Sequence, residues 1–74
     1  MSLSVNIDFE ATPLTGKPPL AVAFTNLTTV SSGYSVDGWL WNFGDGNTST
    51  EEHPVHTYIQ DGFHTVSLRV RVDL

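Results

Sequence analysis

Three aromatic residues at alternate positions run into a glycine-bracketed acid in the stretch WLWNFGDG, residues 39–46. Successive side chains of a β-strand point to opposite faces, so Trp39, Trp41 and Phe43 share one face, with Leu40 and Asn42 on the other. A buried aromatic side chain removes about 150 to 250 Å² from water, enough for three of them to dominate a small core. Gly44 and Gly46 permit backbone angles or close approaches that a Cβ forbids, and Asp45 can accept hydrogen bonds from nearby backbone N–H groups. The Asp45-Gly46 pair is also favoured in tight hairpins. The stretch therefore reads as a strand ending in a corner. A phosphate-cradling glycine loop would need longer glycine spacing and a following helix, and the sequence offers neither.

The same period of two recurs along the chain. "SVNIDFEAT" sets Val5, Ile7, Phe9 and Ala11 against Asn6, Asp8 and Glu10, and predicts one strand with an apolar face. "TPLTGKPP" interrupts with three prolines and a glycine, after which Leu20, Val22 and Phe24 alternate with Ala21, Ala23 and Thr25 in a second strand. "TVSSGYSVDG" reads as loop, WLWNF as the third strand and "NTST" as its short return. "VHTYI" is a further strand, and "QDG" a turn into "FHTVSLRVRV", where His64, Val66, Leu68, Val70 and Val72 share a face. His64 is the odd member of that apolar row. Spacing at three and four residues is absent, while sixteen Ser and Thr residues among 74 favour strands and turns. The expected fold is all-β, a two-sheet antiparallel sandwich of about seven short strands.

A chain of 74 residues fits one domain, with little material for a deep cleft. It has no cysteine, which removes disulfide staples and thiolate metal sites. Eight acids against Lys17, Arg69 and Arg71 give a net charge of -5, which repels nucleic-acid backbones and anionic lipid heads. "MSLSVNIDF" lacks the basic start of a signal peptide, and no segment approaches the roughly 20 apolar residues of a membrane span. The expectation is a single domain, residues 1–74, excised from a longer polypeptide, with no nucleic-acid partner and no membrane insertion of its own.

"WNFGDGNTSTEEHPVHTYIQDGFHTVSLRV" resembles the signature half of a PKD domain, the immunoglobulin-like repeat of polycystic kidney disease proteins. That family's pattern runs W-D-F-G-D-G, then P-x-H-x-Y, then a glycine before the last alternating strand. "ATPLTGKPPLAVAFTNLT" is similar to its weaker opening. The resemblance implies an immunoglobulin-like sandwich with a structural signature of Trp41, Asn42, Phe43, Gly44, Asp45, Gly46, Pro54, His56, Tyr58 and Gly62. Asn42 stands where the family usually has Asp, and His64 where it commonly has Tyr, which makes that end of the core more polar. The family occurs in extracellular or cell-surface settings, often in tandem, in surface-layer proteins, adhesins and secreted hydrolases.

No catalytic residue is expected, since no nucleophile motif or oxyanion loop accompanies the Ser, His and Asp residues present. No metal site or cofactor is expected either. His53 and His56, three apart, would face opposite sides of a strand, and no acidic loop has the ligand density of a dedicated calcium site. His56 reads instead as a core-edge histidine bonded to backbone. Asn26-Leu27-Thr28 and Asn47-Thr48-Ser49 are glycosylation sequons, meaningful only in an exported protein. Tyr34, Leu40 and Phe63 are the candidates for an exposed contact surface. The functional expectation is a non-catalytic extracellular spacer, adhesion or protein-interaction module of a cell-surface or surface-layer protein. The alternative is a carbohydrate-binding accessory domain of a secreted hydrolase. The partner is then a protein or a carbohydrate, together with neighbouring domains of the same chain.

Overall fold

The computed structural model describes residues 3–73, so residues 1, 2 and 74 of the expected 1–74 unit lie outside the described residues. Eight short strands follow in order: β1 Val5–Asn6, β2 Phe9–Thr12, β3 Leu20–Asn26, β4 Thr29–Val30, β5 Ser35–Asn42, β6 Thr48–Ser49, β7 Val55–Tyr58 and β8 Ser67–Asp73. They form two three-stranded antiparallel sheets, β2-β3-β7 and β6-β5-β8, and a small β1-β4 ladder. The fold is the expected all-β sandwich.

Cross-strand neighbours lie on the same face of a sheet, and the registers show how the interior is assembled. Ala11 opposes Phe24, Val22 opposes His56 and Leu20 opposes Tyr58 in one sheet. Trp41 opposes Leu68 and Trp39 opposes Val70 in the other. The buried apolar core is Val22, Phe24, Trp41, Phe43, Tyr58 and Leu68, with Phe9, Ala11, Leu20, Trp39, Val66 and Val70 packed against it. Trp41, fully buried, sits at the centre. Its ring meets Phe9 edge-on at 5.1 Å between centroids and lies tilted against Phe24 at 5.4 Å.

Three expectations need correction. The predicted first strand is two, because the chain breaks at Ile7-Asp8, where the Asp8 carboxylate accepts the Phe9 N–H and the Asp8 carbonyl accepts the Leu27 N–H. The partner strand breaks at the same level, with the Asn26 side-chain oxygen accepting the Thr28 N–H. Beyond this joint β1 pairs with β4 instead of covering the core, leaving Val5 and Ile7 exposed. The stretch read as a loop after Thr29 contains β4 and the first half of β5. Finally, β8 begins at Ser67, not Phe63, although the parity of His64, Val66, Leu68 and Val70 holds and none of the four is exposed.

Candidate functional site

The corner after β5 is where the signature residues converge. Phe43 N–H donates to the Asn47 carbonyl at 3.1 Å and closes the turn. Inside it, the Asn42 side-chain oxygen accepts the Gly44 N–H at 3.0 Å, and one Asp45 oxygen accepts the Asn47 N–H at 3.1 Å. A short polar side chain bonding the backbone two residues on is what lets Asn or Asp hold such a bend. Asn42 uses an oxygen that an aspartate would also present, so its departure from the family pattern leaves the bond available. Gly44 has φ of 82°, and a Cβ there would lie 2.5 Å from the Thr65 carbonyl oxygen. That position requires glycine twice over, for backbone angle and for space.

The corner is tied to the opposite sheet through His56 on β7. His56 Nε2 lies 2.7 Å from the second Asp45 carboxylate oxygen, and both side chains are largely covered. The expected backbone partner of His56 is therefore replaced by a carboxylate eleven residues away. The imidazole stacks on Phe43 with centroids 4.2 Å apart and planes within 3°, and meets Tyr58 edge-on at 4.7 Å. Tyr58 Oη donates to the Phe43 carbonyl at 2.9 Å. Burial pushes the Asp45 carboxyl upwards, but the His56 bond and the donors of Asn47 outweigh it and hold the group below its ordinary value. Burial, helped by the Asp45 charge, raises the Tyr58 hydroxyl above its ordinary value. Both groups thus keep the protonation state their bonds require at neutral pH.

Other signature residues secure the surroundings. Trp41 Nε1 donates to the Glu51 carbonyl at 2.9 Å, so the central indole is buried with its one polar atom satisfied. Pro54 is fully buried and its carbonyl accepts the Phe24 N–H. Gly46 and Gly62 take φ of 94° and 112°. His64 is half-buried, stacks on Tyr58 at 4.5 Å and places Nε2 3.2 Å from the Gln60 carbonyl.

Chemically, this arrangement is closed on itself. The Asp45–His56 pair resembles two members of a triad, but the nearby hydroxyl, Tyr58, donates to a carbonyl. His53 accepts the Asn26 N–H on Nδ1 at another point of the structure and does not join His56. Among the described residues no three His, Cys, Asp or Glu side chains gather as a metal-binding group.

The candidate contact residues are not brought together. Tyr34 precedes Ser35, which opposes Asp73, whereas Phe63 lies before Ser67, which opposes Asn42. They flank opposite ends of a ladder about 25 Å long at the usual strand rise. Leu40, on the outer face of β5, borders a shallow hollow with Arg69 and Arg71, and Phe63 borders a separate groove of about 400 Å³ with Leu14, Pro18 and Val66. Of the sequon asparagines, Asn47 is exposed at the corner, and Asn26 is half-buried at the end of β3.

The two sheets and the corner joining them define an immunoglobulin-like β-sandwich module. More narrowly, the chain belongs to the PKD domain family, whose model matches residues 7–73. Collagenase ColA of Bacillus cereus is 42% identical over 59 residues, covering 80% of this chain and 6% of that protein. The microbial collagenase of Vibrio alginolyticus is 36% identical over 55 residues, 74% of this chain and 7% of the enzyme. Pre-pro-metalloprotease PrtV of Vibrio cholerae is 39% identical over 54 residues, 73% and 6% respectively. The chain thus spans less than a tenth of the length of these curated relatives.

Proposed function

We propose that this PKD domain is a non-catalytic accessory module of a larger extracellular protein-cleaving enzyme, acting as a spacer or protein-contact unit. The observation that carries this reading is the proportion of the matches: most of this chain aligns with only 6% of a collagenase. The bulk of such an enzyme is available for the named activity. The Asp45–His56 corner supports the same view, since the Asp45 carboxylate, His56 Nε2 and the Tyr58 hydroxyl are engaged in holding the turn. Collagen is an extracellular polymer, which favours work outside the cell.

The surface-layer and adhesion settings expected from the family at large find no counterpart in these relatives, and the hydrolase setting fits better. Its carbohydrate ligand gains no support, because the relatives are named for cleaving proteins and the candidate ring residues flank opposite ends of one ladder. The purified domain, incubated with casein, gelatin and fibrillar collagen, should generate no new N-termini. Cleavage that disappears in Asp45→Asn or His56→Gln would overturn the proposal. Deleting the domain from a collagenase parent should leave hydrolysis of a short soluble peptide intact, and its loss would count equally against it.

A further inference from the structure

The dipeptide Asp-Gly occurs three times in this chain, at 37–38, 45–46 and 61–62. It is the context in which an aspartate rearranges most readily, because the backbone nitrogen of the next residue attacks the side-chain Cγ and glycine puts no side chain in the way. The fold treats the three pairs differently. Both oxygens of Asp45 are held, one by the Asn47 N–H at 3.1 Å and the other by His56 Nε2 at 2.7 Å, so its Cγ cannot turn onto the Gly46 nitrogen without breaking them. Burial pushes the Asp45 carboxyl up, but these bonds outweigh it and keep the group ionised, the form that does not expel water. Asp37 lies within β5, its Oδ1 accepts the Arg71 Nε–H at 2.9 Å, and Gly38 is paired opposite Arg71 in the ladder. Asp61 has no such restraint. Residues 59–66, between β7 and β8, belong to no strand, and Asp61 and Gly62 are both exposed. Gly62 has φ of 112° with open space around it. Among the described residues neither the Asp61 carboxylate nor the Gly62 N–H enters a hydrogen bond.

We propose that Asp61-Gly62 is a self-modification site, at which the folded chain converts aspartate to isoaspartate while Asp37 and Asp45 are spared. The Gly62 nitrogen bonds to Asp61 Cγ and gives up its proton. The C–O bond of the protonated carboxyl breaks, its electron pair leaves with the hydroxyl, and one water departs from a five-membered succinimide. Water then adds back to the ring. Opening between Cγ and the nitrogen returns aspartate. Opening between the Asp61 carbonyl carbon and the nitrogen leaves the chain running through Cγ, with the former main-chain carbonyl as a free carboxylate. Water is released and consumed in equal amounts, and no oxidant, reductant or other co-reactant takes part. The product carries an extra main-chain carbon between Gln60 and His64. His64 Nε2 lies 3.2 Å from the Gln60 carbonyl, and its ring stacks on Tyr58 at 4.5 Å. Isomerisation therefore lengthens the loop across the contact that seats it against the core.

The test is to age the folded 74-residue chain at about pH 5 to 6, where a fraction of free carboxyl groups is protonated, and to score isoaspartate at each Asp-Gly by electron-transfer fragmentation of its peptides. Isoaspartate should accumulate first and most at 61. Asp45 should lag by about tenfold or more, the rate equivalent of one hydrogen bond to a charged group, with Asp37, held by a single exposed pair, in between. In urea the three sites should converge to within a few-fold, since the restraints are gone. Asp61→Glu, whose extra methylene puts the five-membered ring out of reach, should abolish the signal at 61. Arg71→Ala should raise isoaspartate at 37 and leave 61 unchanged. In the aged parent the His64 ring signals should split in step with isoaspartate at 61, and in Asp61→Glu they should stay single. A folded chain in which Asp61 reacts no faster than Asp45 would overturn the proposal. So would a ranking that persists in urea, where sequence neighbours and not the fold would be deciding it, or isoaspartate at 61 that leaves the His64 signals single.

Discussion

Val5 and Ile7 share one face of their strand just as Trp39 and Trp41 share one face of theirs, yet Ile7 is 48% exposed and Trp41 is 0% exposed. The difference lies in what covers each strand. β5 sits in the middle of its sheet and faces β2 and β3 through Phe9 and Phe24, whereas β1 has only the two-residue β4 beside it. Period-two patterning states which residues share a face, and the second layer decides whether that face is dry.

The largest test of this contrast is truncation at both sites. Trp41→Ala should cost about 3 to 5 kcal/mol and leave the domain barely folded, if folded at all. Ile7→Ala should cost well under about 1 kcal/mol, as expected for a surface position. Urea unfolding of the two variants checks it, and comparable losses would erase the distinction.

Glycine offers the next comparison. Gly44→Ala meets both a positive φ and the Thr65 backbone at 2.5 Å, whereas Gly46→Ala meets a positive φ with open space around it. The strain alone is worth about 1 to 3 kcal/mol, so Gly44→Ala should lie at or above the top of that range and Gly46→Ala near its foot. Equal unfolding midpoints would show that the contact with Thr65 is dispensable.

The fold class, the parity of β3, of β8 and of the second half of β5, and the bend at Gly44-Asp45-Gly46 were legible in the sequence, because each rests on local chemistry: alternation, turn residues and the aromatic run. What escaped was long-range. Nothing around Asp8 or Asn26 marks the shared joint that diverts Val5 and Ile7 from the core, since the joint exists only when the two strands lie side by side. His56 lies on β7 of one sheet and Asp45 in the turn after β5 of the other, and no spacing rule announces a bond between them. Strand parity speaks for one strand at a time and does not tell whether Tyr34 and Phe63 meet, and the β5–β8 ladder lies between them.

Smaller effects separate the corner from the rest of the surface by its response to acid. Asp45 is held below its ordinary value of 3.8, so the unfolded state binds more protons as pH falls past that value. Its contribution to stability is full above the unfolded value and is lost as pH drops through the folded one. Asp45→Asn should remove that part of the acid sensitivity, seen in thermal melts between about pH 2 and 5, around the ordinary carboxylate value. The smallest expected effect is that of a chelator. Both Asp45 oxygens already have donors, so excess EDTA should leave the melting midpoint where it was. A clear fall would reassign the carboxylate to a metal.

The account rests most heavily on the bond that ties the corner after β5 to β7. A double-mutant cycle with Asp45→Asn and His56→Gln at neutral pH measures it directly. A coupling of about 1 kcal/mol or somewhat more is predicted, as for a charged hydrogen bond between largely covered partners. Variants that add to within about 0.3 kcal/mol would contradict it, because residues that share no interaction behave in that way.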